Sequence, residues 1–303
     1  MKHILKAEQF TDVAFVDKLC ESAEKLRAED GKGKILNSLE GKIVATLFFE
    51  PSTRTRLSFE AAAQKLGAKI VSTENAMHST KAAAGEALPD IIRIVNQYAD
   101  AIVFRHPEIG SAEIAASVSE APLINAGDGA GQHPTQALGD IYTLKKEFGK
   151  IEGLKIAMAG DLKFGRTVHS LLPMISLYKD VSVYLVSPPQ LRFPEEYKKP
   201  GIKFEESENL DAVLDTVDVL YVTRVQKERF ASEAEYLKLK GSYVVDKASL
   251  SKMKKDAIIM HPLPRIDEIA PEVDSDPRAA YFRQAKNGLY MRMALLQELL
   301  AKN

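Results

Sequence analysis

Short runs of apolar residues alternate along this chain with stretches of helical spacing. The clearest run is Ile43 to Phe49, which is almost wholly apolar and predicts a buried strand of a parallel sheet. Glu50-Pro51-Ser52 interrupts it, and Thr53 to Leu66 has the spacing of a helix that stops at Gly67. Comparable runs predict further strands at 69–71, 101–104, 123–125, 155–159, 181–186, 217–222, 243–245 and 257–260.

Helices are predicted between most of these strands. They cover residues 12–27, 87–98, 111–118, 135–148, 165–178, 210–215 and 289–300. Such alternation predicts an α/β fold with parallel sheets. Because the alternation restarts near residue 150 and 303 residues are many for one core, we predict two similar-sized domains, each a parallel sheet flanked by helices. The first comprises residues 1–133 plus 288–303, and the second comprises residues 134–287.

Polar and basic residues are concentrated where the predicted strands end, which is the edge at which open α/β sheets bind ligands. The groups are Ser52-Thr53-Arg54-Thr55, Arg105-His106, His133 with Gln136, Arg166-Thr167, Arg224 with Gln226, and His261-Pro262-Leu263-Pro264-Arg265. Five arginines in such places predict a ligand that carries several carboxylate or phosphate oxygens.

The first of these groups opens the helix that follows Phe49. Free backbone N–H groups and the helix dipole favour an anion at this position. Positions two apart lie about 200° apart around a helix, so Arg54 and Arg56 cannot both face the anion. We expect Arg54 to bind the ligand and Arg56 to pair with Glu60, one turn later. The alternative is a capped helix whose charges have no ligand.

Composition and motifs exclude several classes of function. A net charge of −1 gives no overall basic field for nucleic acid or for a membrane surface. One cysteine, Cys20, allows no intrachain disulfide. The N-terminus lacks a signal-peptide pattern and no apolar stretch has transmembrane length, so a cytoplasmic location is expected.

No metal or cofactor is expected. Histidines His106, His133 and His261 each precede proline, where they can be loop caps or functional groups, but their spacing is not that of a metal site and an arginine-rich site repels cations. Gly127-x-Gly129-x-Gly131 lacks the spacing of the dinucleotide fingerprint, and the chain has no Walker A motif.

Several blocks in register over nearly the whole chain resemble the aspartate/ornithine carbamoyltransferase family. The block from Phe49 to Arg56 resembles its carbamoyl-phosphate signature, and three more resemble further family blocks: Arg105-His106-Pro107, His133-Pro134-Thr135-Gln136 and Gly160 to Thr167. The blocks at 223–229 and 261–265 resemble the aspartate branch, since the ornithine branch has a cysteine in the second. The resemblance implies carbamoyl transfer from carbamoyl phosphate to L-aspartate, giving N-carbamoyl-L-aspartate and phosphate in de novo pyrimidine biosynthesis.

The resemblance also implies two sets of site residues, one in each domain. Carbamoyl phosphate is bound by Ser52, Thr53, Arg54, Thr55, Arg105, His133 and Gln136, of which Arg54, Thr55, Arg105 and His133 are catalytic. Aspartate is bound by Arg166, Thr167, Arg224, Gln226, Pro262 and Leu263.

A loop departs from the family pattern. In the family it reaches a neighbouring subunit of a homotrimer and supplies a serine and a lysine. The serine position corresponds here to Thr80, and Lys81 stands three residues before the position of the family lysine. The lysine before the Gly85-Glu86 pair is replaced by Ala84. Either Lys81 takes over, or the lysine function is absent and activity is strongly reduced.

The identity of the acceptor and the presence of activity both stay open at this point. The acceptor can be another amine such as ornithine, or the chain can be a weakly active or non-catalytic paralogue that binds carbamoyl phosphate. Whether regulatory or dihydroorotase-type chains bind is not decided by the sequence.

Overall fold

The structure is a computed structural model that describes residues 1–76, 85–129, 131–225, 232, 236, 237, 239 and 241–301. The described chain divides into two compact units, Met1–Tyr142 with Lys286–Asn303, and Thr143–Ala285. The boundaries lie inside two helices, whereas the sequence placed them at 133/134 and 287/288. The predicted fold class is confirmed, because each unit contains one parallel sheet with helices around it.

In its described residues, the first unit contains four strands, four complete helices and most of two more. In chain order these elements are α1 (Val13–Gly31), β1 (Ile43–Phe48), α2 (Thr53–Lys65), β2 (Lys69–Glu74), α3 (Leu88–Val95), β3 (Ala101–His106), α4 (Ser111–Val118), β4 (Leu123–Asp128) and α5 (Pro134–Phe148), with the end of the chain adding most of a long final helix. All neighbouring strands pair in parallel, in the order β2-β1-β3-β4.

The apolar faces of β1 and β3 explain the position of the sheet. Alternate residues of β1 and the residue after it, Ala45, Leu47 and Phe49, pack in one core with Ile102 and Phe104 of β3. Helices α3 and α4 contribute to the same core. Strands β1 and β3 are buried along almost their whole length, as expected for central strands covered on both faces.

The second unit is built in the same way, around five strands within its described residues. Its elements are β5 (Lys155–Ala159), α6 (Arg166–Ile175), β6 (Ser182–Val186), β7 (Lys203–Ser207), β8 (Val219–Val222), α7 (Lys247–Lys252), β9 (Ile258–Met260) and the start of α8 (Tyr281–Leu300). The strands are parallel in the order β7-β6-β5-β8-β9. Short 3-10 helices occur at Ala7–Gln9, Pro189–Leu191, Glu195–Tyr197 and Pro271–Ser275.

Several local predictions were wrong. Residues 210–216 form successive turns rather than a helix, with Val213 N–H donating to the Leu210 carbonyl. The strand predicted at 243–245 is reduced to a single bridge between Val245 and Ile269. The fifth strand is instead β7, which the sequence analysis missed, and α8 begins eight residues earlier than predicted.

Among the helices of the described residues, none has the length and apolarity to cross a membrane.

Candidate active site

In the sheet of the first unit, the order of strand addition reverses between β1 and β3. The chain passes from β1 to β2 on one side and returns to place β3 on the other, which creates the crevice where open α/β sheets bind ligands. The two strand ends are joined by a hydrogen bond from the Phe49 N–H to the Arg105 carbonyl, 2.8 Å long. The segments after β1 and β3 therefore meet at this position.

The segment after β1 presents the start of α2. The Arg56 N–H donates to the Ser52 carbonyl at 3.0 Å, which closes the first helical turn. Within the described residues, the Ser52 side chain forms no capping hydrogen bond to this helix. Thr53 and Arg54 are exposed, whereas Thr55 is buried. The first-turn amides and the Arg54 side chain thus form a basic helix N-terminus suited to an anion.

Arg56 has the structural role predicted for it. Its guanidinium lies 3.3 Å from the Glu60 carboxylate and 2.8 Å from that of Glu74 on β2. It also donates to Ser72 Oγ, which in turn donates to Glu60. The predicted Arg56–Glu60 pair is confirmed, and Arg56 ties α2 to the edge strand.

Arg105 closes the other side of the crevice. Its side chain is buried and forms an ion pair with Glu50, at the end of the segment that follows β1. A second nitrogen, Nη1, donates to the Ala126 carbonyl at 3.1 Å. The guanidinium is therefore held at the strand ends by groups on both of its sides.

Two of the three His-Pro histidines act as loop caps. His106 Nδ1 accepts the Glu108 N–H at 3.1 Å, and its ring packs 4.9 Å from that of Phe49. Burial lowers the pKa of His106, against the raising effect of Glu108 and Glu50, so the neutral acceptor form is favoured. His261 caps a turn in the second unit in the same way, through Nδ1 and the Leu263 N–H at 2.8 Å.

The third histidine, His133, stands directly before α5. It is buried, and its carbonyl accepts the N–H groups of Gln136 and Ala137 at 3.0 and 3.2 Å. The preceding loop is closed by Asp128, whose carboxylate accepts the Gln132 N–H at 2.7 Å. This arrangement fixes His133 and Gln136 at one helix start.

In the sheet of the second unit, the order of strand addition reverses between β5 and β8. Thr223 Oγ1, just after β8, donates to the carbonyls of Ala159 and Asp161 at 3.0 and 3.2 Å. Gly160 is required there, because a Cβ at this position would lie 2.2 Å from the Thr223 carbonyl oxygen. Arg224 follows Thr223, and Arg166 with Thr167 opens α6 after the β5 loop, so both arginines follow the two strands that flank this crevice.

The turn after β9 contains Pro262 and Leu263. Leu263 has a φ of 53°, which is uncommon for a residue other than glycine. His261 supports it: Nδ1 accepts from the Leu263 N–H, and Nε2 donates to Glu268 Oε1 at 2.8 Å. Burial would raise the pKa of Glu268, but hydrogen bonds from His261 and backbone amides outweigh burial and lower it.

Both halves of the chain match models of one family. Residues 2–146 match the carbamoyl-P binding domain of aspartate/ornithine carbamoyltransferase, and residues 152–299 match the Asp/Orn binding domain. The chain belongs to the aspartate/ornithine carbamoyltransferase family.

Two family members illustrate the similarity. The aspartate carbamoyltransferase catalytic subunit of Thermococcus onnurineus is 53% identical over 289 residues, which cover 94% of this chain and 92% of that protein. The catalytic subunit of Methanocaldococcus jannaschii is 49% identical over 307 residues, covering 100% and 99%.

Solved structures of the family have the same fold. The aspartate transcarbamoylase of Trypanosoma cruzi in complex with carbamoyl phosphate and aspartate matches with a TM-score of 0.94 and 42% identity, over 99% of this chain and 97% of that chain. The catalytic subunit of the M. jannaschii enzyme matches with a TM-score of 0.92 and 47% identity, over 100% and 99%.

Most of the family's site residues that the sequence singled out lie in the described parts of the two units. Ser52 to Thr55, Arg105, His133 and Gln136 lie in the first unit, and Arg166, Thr167, Arg224, Pro262 and Leu263 lie in the second. Gln226, Thr80, Lys81 and Ala84 lie outside the described residues.

The sequence analysis missed the acidic partners of these residues. Glu50 pairs with Arg105, Asp140 accepts from Gln136, and Glu268 accepts from His261. Glu50 adjoins the carbamoyl-phosphate signature and Asp140 is one helical turn from Gln136, so spacing on a helix was the available signal for Asp140. No comparable signal marks Glu268.

Proposed function

We propose that this chain transfers the carbamoyl group of carbamoyl phosphate to the amine of L-aspartate, giving N-carbamoyl-L-aspartate and phosphate. The observation that carries the proposal is the similarity to aspartate carbamoyltransferases, about half identical over nearly the whole chain. The basic helix start beside Arg105 supports it, because it provides an anion site in the unit that matches the carbamoyl-P binding domain. The reaction is a step of de novo pyrimidine biosynthesis, and we propose a cytoplasmic location.

Carbamoyl phosphate binds to the first unit with its phosphate on the start of α2. Ser52, Thr53, Arg54 and first-turn backbone N–H groups hold the phosphate oxygens. Thr55, Arg105 and His133 donate to the carbamoyl oxygen. Negative charge grows on that oxygen as the amine attacks, so donors fixed in advance lower the barrier.

The chemical step forms a C–N bond and breaks the C–O bond to phosphate. The attacking amine loses a proton and the departing phosphate is the proposed acceptor, so no side chain need act as a dedicated base. The protein contributes by holding two anionic reactants that repel each other in solution. To donate to the carbamoyl oxygen, Arg105 must give up at least part of its ion pair with Glu50.

Aspartate binds to the second unit. Arg166, Thr167, Arg224 and Gln226 hold its two carboxylates, and the backbone carbonyls of Pro262 and Leu263 accept from the carbamoyl NH₂ group. Guanidinium groups suit carboxylates and disfavour the cationic side chain of ornithine. The named relatives are likewise aspartate enzymes, so aspartate is preferred over ornithine as the acceptor.

The proposed assembly is a homotrimer in which Thr80 and Lys81 reach a neighbouring active site. A second candidate function rests on Ala84, which replaces a lysine of the family pattern: a weakly active or non-catalytic protein that binds carbamoyl phosphate. Turnover of Lys81→Ala and Ala84→Lys separates the two explanations of the loop. If Lys81→Ala has no effect and Ala84→Lys accelerates the reaction, Lys81 does not replace the missing lysine.

Phosphate release with carbamoyl phosphate tests the function, with L-aspartate and L-ornithine supplied in parallel and the carbamoylated product identified. Aspartate-dependent turnover is expected. Turnover with ornithine alone would overturn the choice of acceptor. Thermal stabilisation by carbamoyl phosphate without turnover would support the binding protein.

A further inference from the structure

Gln136 is held by a carboxylate that the family resemblance did not include. Its Nε2 donates to Asp140 Oδ1 at 2.8 Å, between positions i and i+4 of α5. Gln136 lies in the first turn of this helix and is half-buried, whereas Asp140 is fully buried. A buried carboxylate needs a compensating partner, since burial of a lone charge is very unfavourable.

Arg292 of α8 is a buried cation that interacts electrostatically with Asp140. Its side chain is 5% exposed and lies over the Phe59 ring, with the guanidinium carbon 5.2 Å from the ring centre. Burial lowers the pKa of Arg292 to about 10, and the charge of Asp140 acts in the opposite direction. The guanidinium and the Asp140 carboxylate therefore attract each other electrostatically.

Two glycines allow this arrangement. A Cβ at Gly139 of α5 would lie 3.2 Å from the Cα of Gly288 on α8, so the two helices approach closely. A Cβ at Gly288 would lie 2.7 Å from a guanidinium nitrogen of Arg292. The sequence thus keeps space for a buried arginine next to Asp140.

The ionised carboxylate fixes the orientation of the Gln136 amide. A carboxylate can only accept hydrogen bonds, so the NH₂ end of the amide must face Asp140. The amide oxygen is then the end that can accept from a ligand. If residue 140 were a neutral amide, it could donate, and Gln136 could turn its NH₂ group toward the ligand instead.

We propose that Asp140 is a positioning residue, which orients the Gln136 amide so that it binds a carbamoyl group in preference to other acyl groups. The inference rests on the proposed function and on contact of Gln136 with the carbamoyl amide, since the family resemblance includes Gln136 in the carbamoyl-phosphate site. An acetyl group has a methyl in place of the NH₂ group and cannot donate to the Gln136 oxygen. The orientation imposed by Asp140 therefore favours carbamoyl phosphate over acetyl phosphate.

The test is the ratio of the dissociation constants of acetyl phosphate and carbamoyl phosphate, measured by calorimetry on the full chain. Asp140→Asn is expected to lower this ratio by about tenfold, the effect of one hydrogen bond to a partly buried acceptor. Asp30→Asn is the matched control, because Asp30 also contacts α8, through Tyr290 Oη at 2.9 Å, but lies outside the proposed site. It should leave the ratio unchanged.

A double-mutant cycle with Gln136→Met shows whether Asp140 acts through Gln136. In that background, Asp140→Asn should change the ratio no further. An unchanged ratio in Asp140→Asn would overturn the proposal. If the affinities for both ligands fell equally, Asp140 would have a purely structural role.

If Asp140→Asn does not fold, the ratio of the two dissociation constants is measured in Arg292→Lys and Arg292→Met instead. The lysine variant retains the cation and should keep the ratio, whereas the methionine variant should lower it; equal ratios would overturn the proposal. Failure of the wild-type chain to bind carbamoyl phosphate would instead contradict the proposed function, so the two failures are distinguishable.

Discussion

Arg105 and Glu50 form a partly buried ion pair at the ends of β1 and β3, with the Arg105 side chain 9% exposed and that of Glu50 28% exposed. The same guanidinium is the proposed donor to the carbamoyl oxygen. Carbamoyl phosphate therefore competes with Glu50 for the guanidinium. The ion pair fixes the position of the donor, but it lowers the affinity for the ligand.

Glu50→Gln should consequently bind carbamoyl phosphate more tightly. Removing the charge leaves Arg105 with a weaker partner to displace, so the dissociation constant is expected to fall by roughly 3- to 10-fold, the scale of a partly exposed ion pair. Isothermal titration calorimetry measures this directly. Glu74→Gln is the control, because Glu74 pairs with Arg56 and its loss should leave the affinity unchanged. Weaker binding by Glu50→Gln would contradict this account of Arg105.

Arg54 and Arg56 should separate into a catalytic and a structural residue. Arg54→Ala removes a charged donor from the start of α2, and turnover is expected to fall by about 10²–10³ with little change in melting temperature. Arg56→Ala leaves Glu60 and Ser72 without their cation and should lower the free energy of unfolding by about 1–3 kcal/mol, while turnover per folded molecule stays within a few-fold. Comparable losses of turnover in both variants would refute the assignment.

The two nitrogens of His261 can be tested separately. An asparagine can place its oxygen near the position of Nδ1 and accept the Leu263 N–H, whereas a glutamine reaches toward the position of Nε2 and Glu268. We expect His261→Asn to keep the Michaelis constant for aspartate within about threefold, and His261→Gln to raise it by about tenfold, the cost of one lost hydrogen bond at the turn. Circular dichroism controls for folding. Equal increases in both variants would show that the hydrogen bond to Leu263 does not support the site.

The fold was predictable where the chain is strongly apolar. β1, β3 and β4 are buried along almost their whole length, and their apolar runs marked them clearly. β7 was missed because Lys203–Ser207 is a charged edge strand, in which no residue is fully buried. The run at 243–245 was apolar enough to suggest a strand, but only Val245 forms a bridge.

The candidate site was predictable only in part, for a related reason. Strand ends and helix starts are local features, so Arg54, Arg105 and Arg166 could be singled out from their position along the chain. Contacts between distant segments cannot be derived from one sequence. Arg292 is more than 150 residues from Asp140, and no local pattern associates the two residues.

His169 should make the second unit less stable in mild acid. Burial lowers the pKa of His169, against the raising effects of the Leu162 carbonyl and Glu196. Its ring stacks on Tyr197 with ring centres 4.2 Å apart, and Nε2 lies 2.8 Å from the Leu162 carbonyl. Among the described residues, no partner is in hydrogen-bond reach of Nδ1, so a second proton would be buried without an acceptor.

The direction in which stability changes with pH follows from proton linkage. The unfolded chain binds a proton near the ordinary pKa of 6.5, whereas the folded protein does so only at lower pH. Unfolding is therefore accompanied by proton uptake below about pH 6.5, and stability falls by up to about 1.4 kcal/mol per pH unit for one group. The loss continues until the pH reaches the lowered pKa of the folded state.

His169→Phe keeps an aromatic ring beside Tyr197 and removes the titration. We expect its stability relative to the wild type to be nearly constant from pH 7.5 to about 7 and to improve as the pH falls further to 5.5. The lost Leu162 hydrogen bond adds a cost that does not depend on pH. Hydrogen exchange of the β5 and β6 amides measures this within the second unit. Phe193→Leu is the control, because it alters the same aromatic cluster without removing a titratable group, and its difference from the wild type should not depend on pH. Parallel pH curves for His169→Phe and the wild type would show that His169 does not contribute to the acid sensitivity.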